Sequence, residues 1–261
     1  MNTLYRYAVL YVLLISSALT FSQEPVKIVF VGSSYFNYNN LPELFKQFSL
    51  AGGKHLYIDQ YMPSGLFLSD HASKPETMKI IRSDSWDYVI LQGSGPGLAY
   101  PDSITDHPVY PALKKLMKNI HKNNPASQMV FTMPWAFEDG MTWKGWDDGY
   151  LEMQQKIEAT SLKYAGDLGF MLAPVGVAWA SVLKEKSYPT HYLHFRDWNH
   201  PTKRGSYLMA CVLYSTIFRE SCADIDYSAG LDREEALYFR ERASEVVLDS
   251  LQLWNIPEIP E

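Results

Sequence analysis

Cysteine is nearly absent from the 261-residue chain, which has only Cys211 and Cys222. Two thiols cannot build the disulfide frame of a small secreted scaffold, so an apolar core must hold the fold. A helix over Gly205–Arg219 would carry Cys211 deep inside it, and a bridge would require the chain to double back at once. The expectation is therefore two free, buried thiols. Runs of lysine and arginine are missing too. Acidic side chains outnumber basic ones 29 to 23, for a net charge of −6. That balance argues against nucleic acid as a partner. Long apolar runs are confined to the N-terminus, so nothing downstream is suited to crossing a membrane. No repeat, low-complexity tract or linker divides the chain.

The N-terminus reads as a leader. Arg6 is the only charge in residues 1–22, an apolar run covers Tyr7–Leu19, and Thr20-Phe21-Ser22 offers small residues for cleavage. The run is short for a span, which needs ~20 apolar residues. No cysteine sits at the cleavage region to carry a lipid. The expectation is a secreted or periplasmic protein, free of the membrane after cleavage, with residues 23–261 as one domain.

Strand and helix patterns alternate along that domain. Strands are expected at Val26–Val31, His55–Tyr61, Tyr88–Leu91, Gln128–Thr132 and Phe170–Ala173. Helices are expected at Leu41–Ala51, Ala72–Arg82, Tyr110–His121, Tyr150–Gly166, Val177–Leu183 and Gly205–Arg219. A last helix, Asp232–Trp254, opens with a capping box of Asp232 and Glu235. Such alternation gives an α/β fold, a parallel sheet with helices on both faces. Ligands of these sheets bind beyond the carboxyl ends of the strands, so the segments just after strands are read first.

After the first strand, Gly32 allows a sharp turn and leaves Ser34 at the sheet edge, with nearby N–H groups able to hold an oxyanion. A polar turn capping the next helix would look the same. After the second strand, Gly65 offers another N–H. After the third, Gln92 can aim its amide into the same cleft. The glycines of Gly93-Ser94-Gly95-Pro96-Gly97 lack the Lys-Ser/Thr of a phosphate loop, and Pro96 interrupts a helix start. Late in the chain, Asp197 and His200 stand three apart before a helix, a carboxylate to orient an imidazole. His191, His194, Asp197 and His200 recur every third residue and are all metal-ligand types. Pro201 disfavours helical geometry at His200, however, so the loop scatters them and no metal is assigned. The order is Ser, Asp, His, with no Gly-x-Ser-x-Gly elbow.

Together these segments resemble the SGNH (GDSL-type) hydrolases. Val29-Phe30-Val31-Gly32-Ser33-Ser34-Tyr35 is similar to that family's first block, Gly65 to the glycine of the second, and Asp197-Trp198-Asn199-His200-Pro201 to the fifth. Asn39-Asn40-Leu41-Pro42 resembles a secreted bacterial subgroup. The resemblance covers Val26 to about Phe218. It implies a three-layer α/β/α, flavodoxin-like fold with a mostly five-stranded parallel sheet. It also implies Ser34 as nucleophile, His200 as base and Asp197 as its orienting acid, with no metal or other cofactor. The sequence departs from the family at the third block, where an oxyanion-binding Asn is usual and Gln92-Gly93-Ser94-Gly95 stands instead. Gln92 is the expected replacement, Ser94 the second choice, beside the N–H groups of Ser34 and Gly65. Ser33 also stands where Asp is common.

The expected substrate is a small-molecule or polysaccharide ester, with an acetylated carbohydrate first. Trp135, Trp143 and Trp146 follow the fourth strand and can stack on sugar rings, although a loop packed by its own aromatics would read the same. The alternatives are a lipid or short-chain acyl ester, a non-catalytic glycan-binding module on a degenerate hydrolase fold, and a metal-dependent hydrolase at the histidine-rich loop.

Overall fold

The computed structural model describes residues 24–104, 107–142, 145–185 and 188–258. The expected leader lies outside the described residues. Five strands form one sheet: β1 Val26–Val31, β2 Leu56–Tyr61, β3 Tyr88–Gln92, β4 Gln128–Thr132 and β5 Met171–Ala173. Their spatial order is β2-β1-β3-β4-β5, and every pair is parallel. The helices, in chain order, are α1 Ser34–Asn37, α2 Leu41–Ala51, α3 Leu68–His71, α4 Pro75–Ile81 and α5 Gly95–Ala99. They continue with α6 Tyr110–Asn123, α7 Tyr150–Leu168, α8 Val175–Glu185, α9 Lys203–Phe218 and α10 Arg233–Leu248.

The order is doubly wound: the chain runs outward from β1 to β2, then returns to build β3, β4 and β5 on the other side. Loops after β1 and β3 therefore diverge and leave a crevice between them. The inner strands need no polar face because both faces are covered, whereas the edge strand β2 is only partly buried. Ile28, Val29, Phe30 and Val31 are fully buried, as are Ile90, Leu91, Val130, Phe131 and Leu172. On one side α9 packs against α2, α8 and α10; on the other α6 meets α3 and α4, and α7 meets α5. Helix α9 is buried along most of its length, from Gly205 to Ile217.

The departures from the sequence reading have local causes. Residues 72–82 do not form one helix, because Pro75 starts α4 and the chain before it closes the separate turn α3. Pro96 sits in the first turn of α5, where a proline lacks nothing the helix needs, so it admits a helix there instead of blocking one. The last helix stops at Leu248, short of Trp254. Its cap is only half a box: Asp232 accepts the N–H groups of Glu234 and Glu235. The Glu235 carboxylate instead takes Arg204 Nε at 2.7 Å and the Tyr192 hydroxyl at 2.8 Å. Cys211 and Cys222 are free and buried. The chain does double back after α9, bringing Cys222 Sγ within 3.8 Å of the Cys211 carbonyl, yet no bridge joins them.

Candidate active site

The site is built from the turn after β1. Gly32 is there because a Cβ at that position would meet Phe36 Cδ2 at 2.7 Å and Gln92 Cβ at 3.0 Å. The turn is held from below by a buried histidine that the sequence reading did not single out. His71 Nε2–H donates to the Gly32 carbonyl at 2.9 Å, and its Nδ1 lies 2.9 Å from the Thr77 hydroxyl. Burial lowers the His71 pKa, which keeps the ring neutral and able to donate to one partner while accepting from the other. Ser34 opens α1, whose first N–H groups have no carbonyl inside the helix to bond.

His200 arrives from the far end of the sequence. Its Nε2 lies 2.7 Å from Ser34 Oγ, and its Nδ1 lies 2.6 Å from Asp197 Oδ2. The other oxygen of Asp197 accepts the backbone N–H groups of Asn199 and His200 at 3.1 and 3.0 Å. Burial alone would raise the Asp197 pKa. The hydrogen bonds from the His200 and Asn199 N–H groups and the His200 ring outweigh it and hold the carboxyl below its ordinary value. Tyr38 stacks on the imidazole face at 4.3 Å and 10°, and Tyr35 meets its edge at 5.4 Å. The ring is thus fixed on three sides, with its outer nitrogen on the serine.

A cleft of about 620 Å³, counting its open mouth, lies over Ser34 and His200. Gly65, Gln92, Ser94 and Asn199 line it, and Leu66, Phe67, Leu68 and Val109 form an apolar wall. Gly65 has φ +79°, a conformation that side chains disfavour, and it is exposed, so its N–H can face the cleft without steric cost.

Gln92 is in the cleft but is not a free donor, which corrects the sequence expectation. Its Oε1 accepts the Ser33 N–H at 2.8 Å, and its amide N–H₂ donates to Gly93 O at 3.1 Å and Ser33 Oγ at 3.3 Å. Both ends of the amide clamp the turn that carries Ser34. Ser33 thus meets the Gln92 amide with both its N–H and its hydroxyl. Ser94 caps α5 without a side-chain cap bond and lines the same cleft.

Trp135 is corrected as well. Trp135 is 2% exposed, stacked between Tyr35 at 4.9 Å and Trp179 at 4.1 Å, with Nε1–H donating to the Asn199 carbonyl at 2.8 Å. It braces the Asp197–His200 loop and offers no face to a sugar. Trp146 lies on Tyr100 at 3.6 Å, and Asp148 of the same loop is tied to Lys156 of α7 at 2.6 Å. Trp143 lies outside the described residues. Among the described residues the exposed aromatics near the site are Phe195 and Trp198, which the sequence reading left out. Their place between His194 and His200 was the available signal.

The four residues spaced by threes go separate ways. His191 bonds Glu138, His194 is buried against the Ala136 carbonyl, and only Asp197 and His200 meet. Among the described residues no cluster of three or more His, Cys, Asp or Glu side chains could hold a metal ion.

No family model matches this sequence, and neither does any curated protein. Solved structures do resemble the fold. A DUF4886 family protein from Bacteroides uniformis superposes with a TM-score of 0.72 at 18% identity, over 86% of this chain and 95% of its own. A protein assigned to the SGNH hydrolases from Slackia heliotrinireducens gives 0.60 at 19% identity, over 73% and 97%. The chain has the SGNH hydrolase fold. An acetyl xylan esterase, AlAXEase, gives 0.54 at 14% identity, over 74% of this chain and all of its own (100%).

Proposed function

We propose that this protein hydrolyses carboxylic esters through an acyl-enzyme, with acetylated carbohydrate as the substrate class. The observation that carries the reading is the continuous contact from Ser34 Oγ to His200 to Asp197, at 2.7 and 2.6 Å. His200 takes the Ser34 proton as Oγ attacks the ester carbonyl, and Asp197 stabilises the imidazolium that forms. The oxyanion is held by the N–H groups of Ser34 and Gly65 and, in place of the expected Gln92, by Ser94. His200 then protonates the departing alcohol. Water, deprotonated by His200, attacks the acyl carbon, and Ser34 leaves with the proton returned. No step calls on a metal or other cofactor.

Hydrolysis of p-nitrophenyl acetate tests the assignment: Ser34→Ala should abolish it, and near-normal turnover by that variant would overturn the proposal. The apolar wall of Leu66, Phe67, Leu68 and Val109 favours a second reading, a lipid acyl ester. Rates on acetate against long-chain esters of one alcohol separate the two. Export rests on the apolar segment of residues 1–22. Sequencing the N-terminus of the mature protein tests it, and a retained Met1 would count against export.

A further inference from the structure

The loop that carries Asp197 and His200 holds a second feature that the hydrolytic chemistry does not use. Trp198 stands 51% exposed beside the site, with φ 60°. A bulky side chain in the left-handed region is strained and persists only where its surroundings over-determine it. Here they do. The Trp198 N–H donates to Phe195 O at 2.9 Å, and its carbonyl accepts the Glu138 N–H at 2.9 Å.

The same Glu138 fixes a second residue of unusual backbone. Its carboxylate takes the His191 N–H at 2.5 Å and the His191 Nδ1 at 2.6 Å, and His191 has φ 65°. The two rings come together, His191 lying 6.1 Å from Trp198 at 49°. Because Nδ1–H points at the carboxylate, Nε2 is left as the outward nitrogen of a ring 29% exposed. Among the described residues it makes no hydrogen bond. Trp198 is two residues from His200, so their Cα atoms lie within about 7.6 Å. Phe195, 45% exposed, continues the aromatic rim to Tyr38, which it meets at 5.8 Å.

We propose that Trp198 and His191 form a sugar subsite on the loop that carries His200, outside the lining of the cleft over Ser34, which receives the alcohol side of a carbohydrate ester. An open indole face suits the C–H face of a pyranose, and a rigid imidazole at its edge suits a hydroxyl. An acyl chain would instead favour apolar surface, which Leu66, Phe67 and Leu68 offer inside the cleft. Glu138 acts through both residues as a positioning group. The subsite rests on the hydrolase reading above, since it places the leaving group relative to Ser34.

The test holds the acyl group constant and changes the alcohol. Xylose tetraacetate and glucose pentaacetate are compared with p-nitrophenyl acetate for the wild type, Trp198→Gly and Trp198→Phe. Glycine tolerates the left-handed backbone, so Trp198→Gly removes the ring while keeping the loop conformation. Its kcat/KM on the sugar acetates should fall roughly 3- to 10-fold more than on p-nitrophenyl acetate, through KM. Trp198→Phe should recover most of the difference. An equal change on both alcohols overturns the subsite, as does a wild type that cleaves p-nitrophenyl acetate but neither sugar acetate. A selective loss on long-acyl esters also overturns it. Hydrolysis that survives Ser34→Ala would instead remove the nucleophile assignment, a result distinct from all of these.

Discussion

Ser34 Oγ lies 2.7 Å from His200 Nε2, although 166 positions separate the two residues in the chain. The turn after β1 supplies the first and the loop before α9 the second, and the two meet over the edge of the sheet. A hydroxyl in that position can lose its proton to the ring as it attacks. Ser34→Ala and His200→Ala should each lower kcat on p-nitrophenyl acetate by about 10⁴-fold or more. The double variant should be little worse than either single one, because the pair acts as a unit. Additive losses in steady-state kinetics would contradict this.

Asp197 should matter less than its partner but more than a surface acid. Asp197→Asn keeps the shape and removes the charge that stabilises the imidazolium, so kcat should drop by roughly 10²–10⁴-fold. The melting temperature should move little, since the side chain is 41% exposed. A Tm loss that accounts for the activity loss would reassign the residue to loop structure.

Gln92 and Ser94 are separable by experiment. Gln92→Leu leaves the buried Ser33 N–H without its acceptor, at a cost of about 1–3 kcal/mol, and should lower Tm and activity together. Ser94→Ala should leave Tm in place and lower kcat by about 10²-fold if its hydroxyl holds the oxyanion. Unchanged turnover in Ser94→Ala would remove it from that role.

Acid should destabilise the fold through His194. The ring is fully buried, its Nε2–H donates to the Ala136 carbonyl at 3.0 Å, and Nδ1 has no partner. Burial lowers its pKa from 6.5 to about 4. The unfolded chain takes up a proton as pH falls below 6.5, while the folded ring refuses it down to about 4. Stability is therefore present above that window and lost across it, by up to about 3 kcal/mol. His71, also lowered by burial, acts in the same direction. Thermal melts against pH should show the loss, and His194→Phe should flatten it; an equally steep profile in that variant would point elsewhere.

Trp135 should behave as core. Trp135→Ala removes a ring stacked on Tyr35 and Trp179 and should cost about 3–5 kcal/mol by denaturant unfolding. A stable variant with a raised KM for sugar acetates would return it to the binding surface.

The sequence by itself determined the layers and the order of parts. The run Val26–Val31, apolar but for Lys27, suits a strand covered on both faces, and the alternation of such runs with amphipathic helices favours a parallel sheet. Local chemistry also marked Gly32, Ser34 and Gly65 after strands, and the Asp197–His200 pair. Tertiary structure decided what each marked residue touches. Gln92 is drawn off the oxyanion position because Ser33, beside it only through the pairing of β1 with β3, satisfies both ends of its amide. Trp135 and Trp198 are both tryptophans in loops beyond the sheet. One is buried because Tyr35 and Trp179 close on its two faces, and the other is left open by a turn pinned through Glu138. Residue type and spacing carry no record of which neighbours the fold brings across 60 or 160 positions, and burial and hydrogen-bond demand are settled by those neighbours.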